Sequence, residues 1–231
     1  MKNTRVAIFG GSFNPPTLAH MEIVNQLLIE DMADVILLVP CGNRKDKDNF
    51  QNGVHRLSML ELSFSEYFGH KPKVIDSKNG IPHINNLSKS SKSLYHSQKV
   101  FIDCYEINNF IEMVPTTDLL KNYQKNHISM EFTFVIGSDL LSSIKHWEDY
   151  HTFLKFQKYI VFKRKGYQNE DGVSELAHSR IHKIKYEMVS STKVRNILVT
   201  HSNNQRKLRD SLNSLIGKST MDYILVNKIY L

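Results

Sequence analysis

Two short stretches, near opposite ends of the chain, carry residue types suited to holding phosphate. The first is Gly10-Gly11-Ser12-Phe13-Asn14-Pro15-Pro16-Thr17-Leu18-Ala19-His20. A glycine pair directly after an apolar run lets the backbone pass close to a ligand. The helix that begins after Pro16 offers unpaired N–H groups to an anion at its start. Thr17 and His20 stand three residues apart, so a hydroxyl and an imidazole share one face at that helix start, where both can donate to the same phosphate oxygens. By itself, a glycine turn with a capping Thr and an incidental His accounts for the stretch as well.

The second stretch is Ser190-Ser191-Thr192-Lys193-Val194-Arg195, which opens an apolar-periodic segment through Ile197 and Leu198. Ser and Thr before a helix are capping residues first. Arg195 falls one turn further in, so hydroxyls, free N–H groups and a guanidinium converge on one helix end, a combination that can hold a polyphosphate.

The elements that must position these stretches follow from the apolar pattern. Arg5–Phe9 reads as a strand ending in the glycine pair, Leu18–Leu28 as a helix, and Val35–Val39 as a strand without polar alternation, buried on both faces. The rhythm continues with a helix over Val54–Tyr67, a strand over Val100–Ile107, a helix over Thr117–Gln124, and strands at Phe132–Ile136, Tyr159–Phe162 and Ile181–Tyr186. Helices begin near Ser191 and Thr220. Alternating strands and helices predict an α/β fold, a Rossmann-like doubly wound parallel sheet with helices on both faces, forming a single domain over residues 1–231. Residues 71–99, rich in Ser, Asn and Lys, read as a low-complexity basic surface insertion.

Taken as a pair, GGSFNPPTLAH and SSTKVR resemble the signatures of the nicotinamide/nicotinate mononucleotide adenylyltransferases, a family of the nucleotidyltransferase superfamily. The resemblance continues in Val54-His55-Arg56-Leu57-Ser58-Met59-Leu60, in Pro115-Thr116-Thr117-Asp118-Leu119-Leu120, and in the turn Ile136-Gly137-Ser138-Asp139, with Trp147 downstream. Three positions depart from the commonest family pattern: Thr17 and Ala19 replace His and Gly, and Pro115 stands where bacterial members often carry Tyr.

The resemblance implies an enzyme of NAD biosynthesis that transfers AMP from ATP to nicotinate or nicotinamide mononucleotide, releasing pyrophosphate. The attacking phosphate monoester is already anionic, so the chemistry needs positioning and charge stabilisation more than a general base. By the same resemblance, His20 and Thr17 hold the α-phosphate, while Ser190, Ser191, Thr192 and Arg195 hold the leaving group. Gly10, Gly11, Ser12 and Phe13 line the phosphate site with backbone. Lys45, chosen from a loop that also contains Arg44 and Lys47, contacts phosphate. Asp139 accepts from the adenosine ribose hydroxyls, or caps a helix, and Gly137 lets ribose or base approach. Thr116 and Trp147 meet the pyridine ring. Arg56 is either a ligand residue or, the preferred reading, a structural residue paired with an acidic neighbour. Mg²⁺ is expected to ride on the triphosphate rather than in a protein cage. Phosphopantetheine adenylyltransferase is the neighbouring alternative.

Composition bounds what remains. The chain has 231 residues, 41% hydrophobic and 23% charged, enough to bury one substantial core. No apolar run approaches the roughly 20 residues that a bilayer span needs. Together with an N-terminus that enters a strand directly, this predicts a cytoplasmic protein; the run Lys163-Arg164-Lys165 is too small to argue nuclear import. Cys41 and Cys104 lack metal or disulfide spacing and read as small hydrophobes. The formal charge of +7 invites a nucleic-acid partner, but residues 71–99 hold six lysines against one aspartate and so supply most of it. Zinc-finger, RRM-type and recognition-helix signals are lacking. No specific nucleic acid and no membrane partner is therefore expected, and the state of assembly, monomer or homo-oligomer, is left open.

Overall fold

The computed structural model describes residues 3–44, 49–79, 81, 99–109, 112, 114–156, 158–165 and 181–231. Seven strands form one sheet: β1 (Thr4–Gly11), β2 (Val35–Pro40), β3 (Lys73–Ile75), β4 (Val100–Asp103), β5 (Met130–Gly137), β6 (Lys158–Phe162) and β7 (Ile181–His182). Their order is β3-β4-β2-β1-β5-β6-β7, and every neighbouring pair is parallel. β1 is central, with Ile8 in register with Leu37 of β2 on one side and Phe134 of β5 on the other. The chain runs outward to one edge first and then restarts on the other side of β1. That reversal opens a crevice at the carboxyl ends of the central strands.

Helices cover both faces, as the uninterrupted apolar strands require. Ala7 and Phe9 of β1 join one core with α1 (Leu18–Ile29), α2 (Gly53–Phe68), α6 (Ser191–Thr200), α7 (Gln205–Leu212) and α8 (Lys218–Val226). Val6 and Ile8, pointing the other way with the period-2 pleat, join a second core with α4 (Thr116–Asn126), α5 (Tyr150–Phe156) and the 3-10 segment Ser138–His146. The predicted α/β doubly wound sheet is therefore the observed one. Among the described residues no helix is long and apolar enough to cross a membrane.

Several boundaries differ from the expectation. The strand predicted over Val100–Ile107 stops at Asp103, whose Oδ1 accepts the N–H groups of Ser77 and Tyr105, both at 3.0 Å; this turns the chain into the short helix α3 (Tyr105–Asn108). The strand over Ile181–Tyr186 is confined to Ile181–His182. Helix α7 lacks a broad apolar face, burying only Leu208 and Leu212 one turn apart. Both ends of the stretch read as an insertion belong to the fold. Lys73–Ile75 extends the sheet, and the Lys99 side chain is 3% exposed with Nζ 2.8 Å from Asp31 Oδ1. Residues 80 and 82–98 lie outside the described residues.

Arg56 ties the crevice together. It is fully buried on α2 and donates to Gln51 O (3.0 Å), Ser12 O (2.9 Å), Cys41 O (2.7 Å) and Gly42 O (3.1 Å), with the Phe50 ring 4.4 Å from its Cζ. Its hydrogen bonds go to carbonyl groups, and the acidic neighbour, Glu106, acts on its charge without a direct bond. Arg56→Met would leave four carbonyls in this buried setting without their donor. It is expected to cost on the order of 3 kcal/mol or more in urea unfolding, against less than about 1 kcal/mol for a Lys replacement of an exposed arginine such as Arg206→Lys.

Candidate active site

The turn after β1 brings Phe13 into a left-handed backbone (φ 45°), a conformation that non-glycine residues keep only when their surroundings hold it. Here the ring is buried, edge-on to Phe9 at 5.6 Å and to His20 at 5.1 Å. Thr17 is the N-cap of α1 and His20 lies in its first turn. His20 Nδ1 accepts the Thr17 backbone N–H at 2.9 Å and lies 2.8 Å from Thr17 Oγ1. A backbone N–H can only donate, so Nδ1 is the acceptor and the neutral ring carries its proton on Nε2. Thr17, 2% exposed, fixes the tautomer of the half-buried imidazole through its backbone N–H, and its hydroxyl packs against the same ring nitrogen.

Burial pushes the His20 imidazole down to about 3, and the Arg164 guanidinium adds to the effect. Arg164 follows β6, is 12% exposed, and sets Nε 3.8 Å from Asp139 Oδ1. Sequence reading treated it only as part of a basic run; its position just past the carboxyl end of a strand neighbouring β5 was the available signal. Asp139 sits in the first turn of the 3-10 segment, whose N-cap is Gly137, so its carboxylate is not the cap. A side chain at Gly137 would bring its Cβ within 2.3 Å of Asp139 Oδ1. The glycine thus makes room first for Asp139.

The second motif meets the first directly. Ser190 caps α6, accepting Lys193 N–H at 3.2 Å. Ser191 Oγ donates to Pro15 O at 2.7 Å, Arg195 Nη1 to Asn14 O at 2.8 Å, and Arg195 Nη2 to Thr192 Oγ1 at 3.3 Å. Ser190 and Thr192 accept in these bonds, which keeps their hydroxyl protons for another partner. Two helix starts, an imidazole and a guanidinium therefore stand against one turn of chain, an arrangement suited to a polyphosphate.

Gly10, Gly11 and Ser12 form the end of β1 and the turn after it, and Ser12 O is held by Arg56. Thr116 begins α4 behind Pro115, and Thr117 Oγ1 donates to Glu148 O at 3.1 Å, which joins that helix start to the turn carrying Trp147. Trp147 is partly buried, its ring 5.1 Å from Phe153 and 6.3 Å from Phe134. Lys45 lies outside the described residues, but the loop leading to it is gripped: buried Glu106 accepts Gly42 N–H at 2.7 Å while Arg56 takes the carbonyls of Cys41 and Gly42. Neither Glu106 nor Asn14, whose amide anchors the first motif, was marked by the sequence. An open depression on α7, lined by Asn204, Arg206, Lys207, Asp210 and Ser211, gathers none of these residues. Among the described residues no group of three or more His, Cys, Asp or Glu is arranged to hold a metal ion.

A parallel α/β sheet with anion-binding helix starts at its switch point defines a nucleotide-binding protein of the doubly wound class. Residues 8–197 match the family model described as cytidylyltransferase-like, and the chain belongs to that family. It is 27% identical over 230 residues to a protein of Acholeplasma laidlawii named "Probable nicotinate-nucleotide adenylyltransferase", covering 97% of each chain. A Fusobacterium nucleatum protein of the same name is 25% identical over 222 residues, covering 94% of this chain and 100% of that one. The fold matches the Plasmodium falciparum nicotinic acid mononucleotide adenylyltransferase complexed with NaAD, with a TM-score of 0.74 at 24% identity over 98% of this chain and 97% of that one.

Because the folded-state value of His20 lies below the ordinary one, the unfolded chain takes up the proton first. The stability His20 gives is present above pH 6.5 and is lost as pH falls from there toward 3. In the ligand-free protein, the His20 ring resonances are expected to show no protonation step between pH 8 and 5, and Arg164→Gln to raise the midpoint. NMR titration checks both, and a His20 step near 6.5 in the parent protein would contradict the assignment.

Proposed function

We propose that the chain transfers the AMP moiety of ATP to the 5′-phosphate of nicotinate mononucleotide, forming the deamido dinucleotide and pyrophosphate. The observation that carries this reading is the seam between the two motifs, in which Ser191 and Arg195 at the start of α6 hold the carbonyls of Pro15 and Asn14 beside His20. The names borne by the relatives support nicotinate over nicotinamide as the acceptor.

In this mechanism an oxygen of the mononucleotide phosphate attacks the α-phosphorus, forming the new P–O bond as the bond to the bridging oxygen of the β-phosphate breaks. The electron pair leaves with pyrophosphate. His20, held by Thr17, donates its Nε2 proton as a hydrogen bond to a non-bridging α-oxygen as charge builds there. Arg195, with the hydroxyls of Ser190 and Thr192 and the N–H groups at the start of α6, where Ser191 holds Pro15, stabilises the leaving β- and γ-phosphates, and the backbone of Gly10, Gly11, Ser12 and Phe13 shapes the turn around them. Asp139 accepts from the adenosine ribose beside Gly137, and Arg164 adds a second guanidinium to that side. Thr116 and Trp147 flank the pyridine ring; Lys45, outside the described residues, is assigned a phosphate contact by the family resemblance alone. Mg²⁺ would arrive with ATP and offset part of the triphosphate's charge. Residues 1–231 act in this reading as one nucleotidyltransferase unit whose partners are its small-molecule substrates, in the cytoplasm.

Incubation with ATP and nicotinate mononucleotide is expected to yield the dinucleotide faster than incubation with nicotinamide mononucleotide. His20→Ala should lower turnover by about 10²- to 10³-fold while the melting temperature stays near that of the parent, the range seen when one donor to a developing oxyanion is removed. Chromatographic product analysis decides the matter: no dinucleotide from either acceptor, or product from phosphopantetheine instead, overturns the proposal.

A further inference from the structure

Tyr230 lies in the turn that follows α8, 216 positions from the motif it touches, and its hydroxyl donates to Asn14 Oδ1 at 2.5 Å. The backbone is left-handed at both Lys228 (φ 52°) and Tyr230 (φ 66°), a turn that non-glycine residues keep when contacts hold it. The ring belongs to the core cluster that includes Ile229 and Ile224, so packing alone accounts for its burial. Packing does not require the hydroxyl, since a Phe would fill the same space.

The hydroxyl completes a chain of contacts to Arg195. Asn14 Oδ1 also accepts Gln51 N–H at 3.1 Å, and Asn14 Nδ2 donates to Asn49 O at 3.1 Å, so its amide is held from three directions. The carbonyl of the same residue accepts Arg195 Nη1 at 2.8 Å. A tilt of Asn14 would move the acceptor that sets where the guanidinium points. The guanidinium charges of Arg195 and Arg56 both act on the Tyr230 hydroxyl, which places it close to the two cations that organise the site.

We propose that Tyr230 is a positioning residue that sets the stance of Arg195 through Asn14, and thereby the affinity for the triphosphate. The inference rests on the adenylyltransferase reading given above. The tyrosine does not touch substrate in this scheme; its effect passes entirely through one amide and one guanidinium.

Steady-state kinetics of Tyr230→Phe, Arg195→Lys and the double variant, beside the parent protein, test it. Tyr230→Phe is expected to raise the KM for ATP roughly fivefold, the effect of one lost hydrogen bond, with the KM for the mononucleotide and the melting temperature little changed. Arg195→Lys raises the KM for ATP further, and Tyr230→Phe adds nothing on top of it, because the lysine has no fork for Asn14 to orient. An unchanged KM for ATP in Tyr230→Phe, a parallel rise in both KM values with a fall in melting temperature, or effects that multiply in the double variant would each overturn the proposal. If the parent protein forms no dinucleotide, the adenylyltransferase reading falls by itself. ATP affinity measured by calorimetry on the same four proteins then decides the role of Tyr230 by the same pattern.

Discussion

All strands of a parallel sheet end on the same side, so their following loops crowd one edge and bring with them carbonyl groups that no neighbouring strand can satisfy. Here one buried guanidinium does so. Arg56 reaches the loops after β1 and β2 and the chain entering α2, through Ser12, Cys41, Gly42 and Gln51. Burial lowers the guanidinium's affinity for its proton but leaves an arginine charged, and the converging carbonyl dipoles and the face of Phe50 offset the lost hydration. Glu106 works on the opposite polarity of the same loop by accepting Gly42 N–H, and burial raises its carboxyl above the usual range. Between them, the peptide leading toward Lys45 is held by both its N–H and its C=O.

Asn14 is the second node, and it depends on the first because Gln51 serves both: its carbonyl takes Arg56 and its N–H goes to Asn14. From there the contacts run to Arg195 and Tyr230, far along the chain. Long closures of this kind are costly in chain entropy, and they hold here because each ends in a buried or half-buried hydrogen bond at the rim of a common core. What they secure is fixed geometry. The proposed reaction, which needs no general base, gains chiefly from donors already aimed before substrate arrives, and Arg195 is aimed by bonds from both Nη atoms, to Asn14 O and Thr192 Oγ1.

The elements with a plain apolar period were readable from the sequence: Val6–Phe9 and Val35–Val39 are buried on both faces, and the Gly, His and Arg of the two motifs stand where their spacing puts them. Helix α7 was not, because Leu208 and Leu212 are its only buried residues and the rest of its surface is polar. Strand β3 was hidden by its length of three residues and its lysine. The end of β4 depends on Asp103, which the apolar pattern includes in the strand; of the two amides it accepts, Tyr105 N–H is local but Ser77 N–H lies on another segment. Asn14, Glu106 and Tyr230 escaped for the same reason. Each is an ordinary residue type whose meaning lies in partners brought close only by the fold.

Arg164 and His20 show how the fold sets a charge state that the sequence leaves open. A histidine at a helix start, against two phenylalanine rings and near a guanidinium, is in surroundings hostile to a second positive charge. Thr17 gives its backbone proton to Nδ1, so protonation there would also set two donors against each other. The imidazole is thus kept as a neutral donor, with its remaining proton on Nε2. In the proposed mechanism that form serves the phosphate oxygen whose charge grows, because a neutral donor leaves the cationic load of the site on Arg195 and Arg164. Arrival of a polyanion reverses the local field and eases protonation of His20, so ligand and proton binding are coupled at this residue by the same electrostatics that hold it neutral when the site is free.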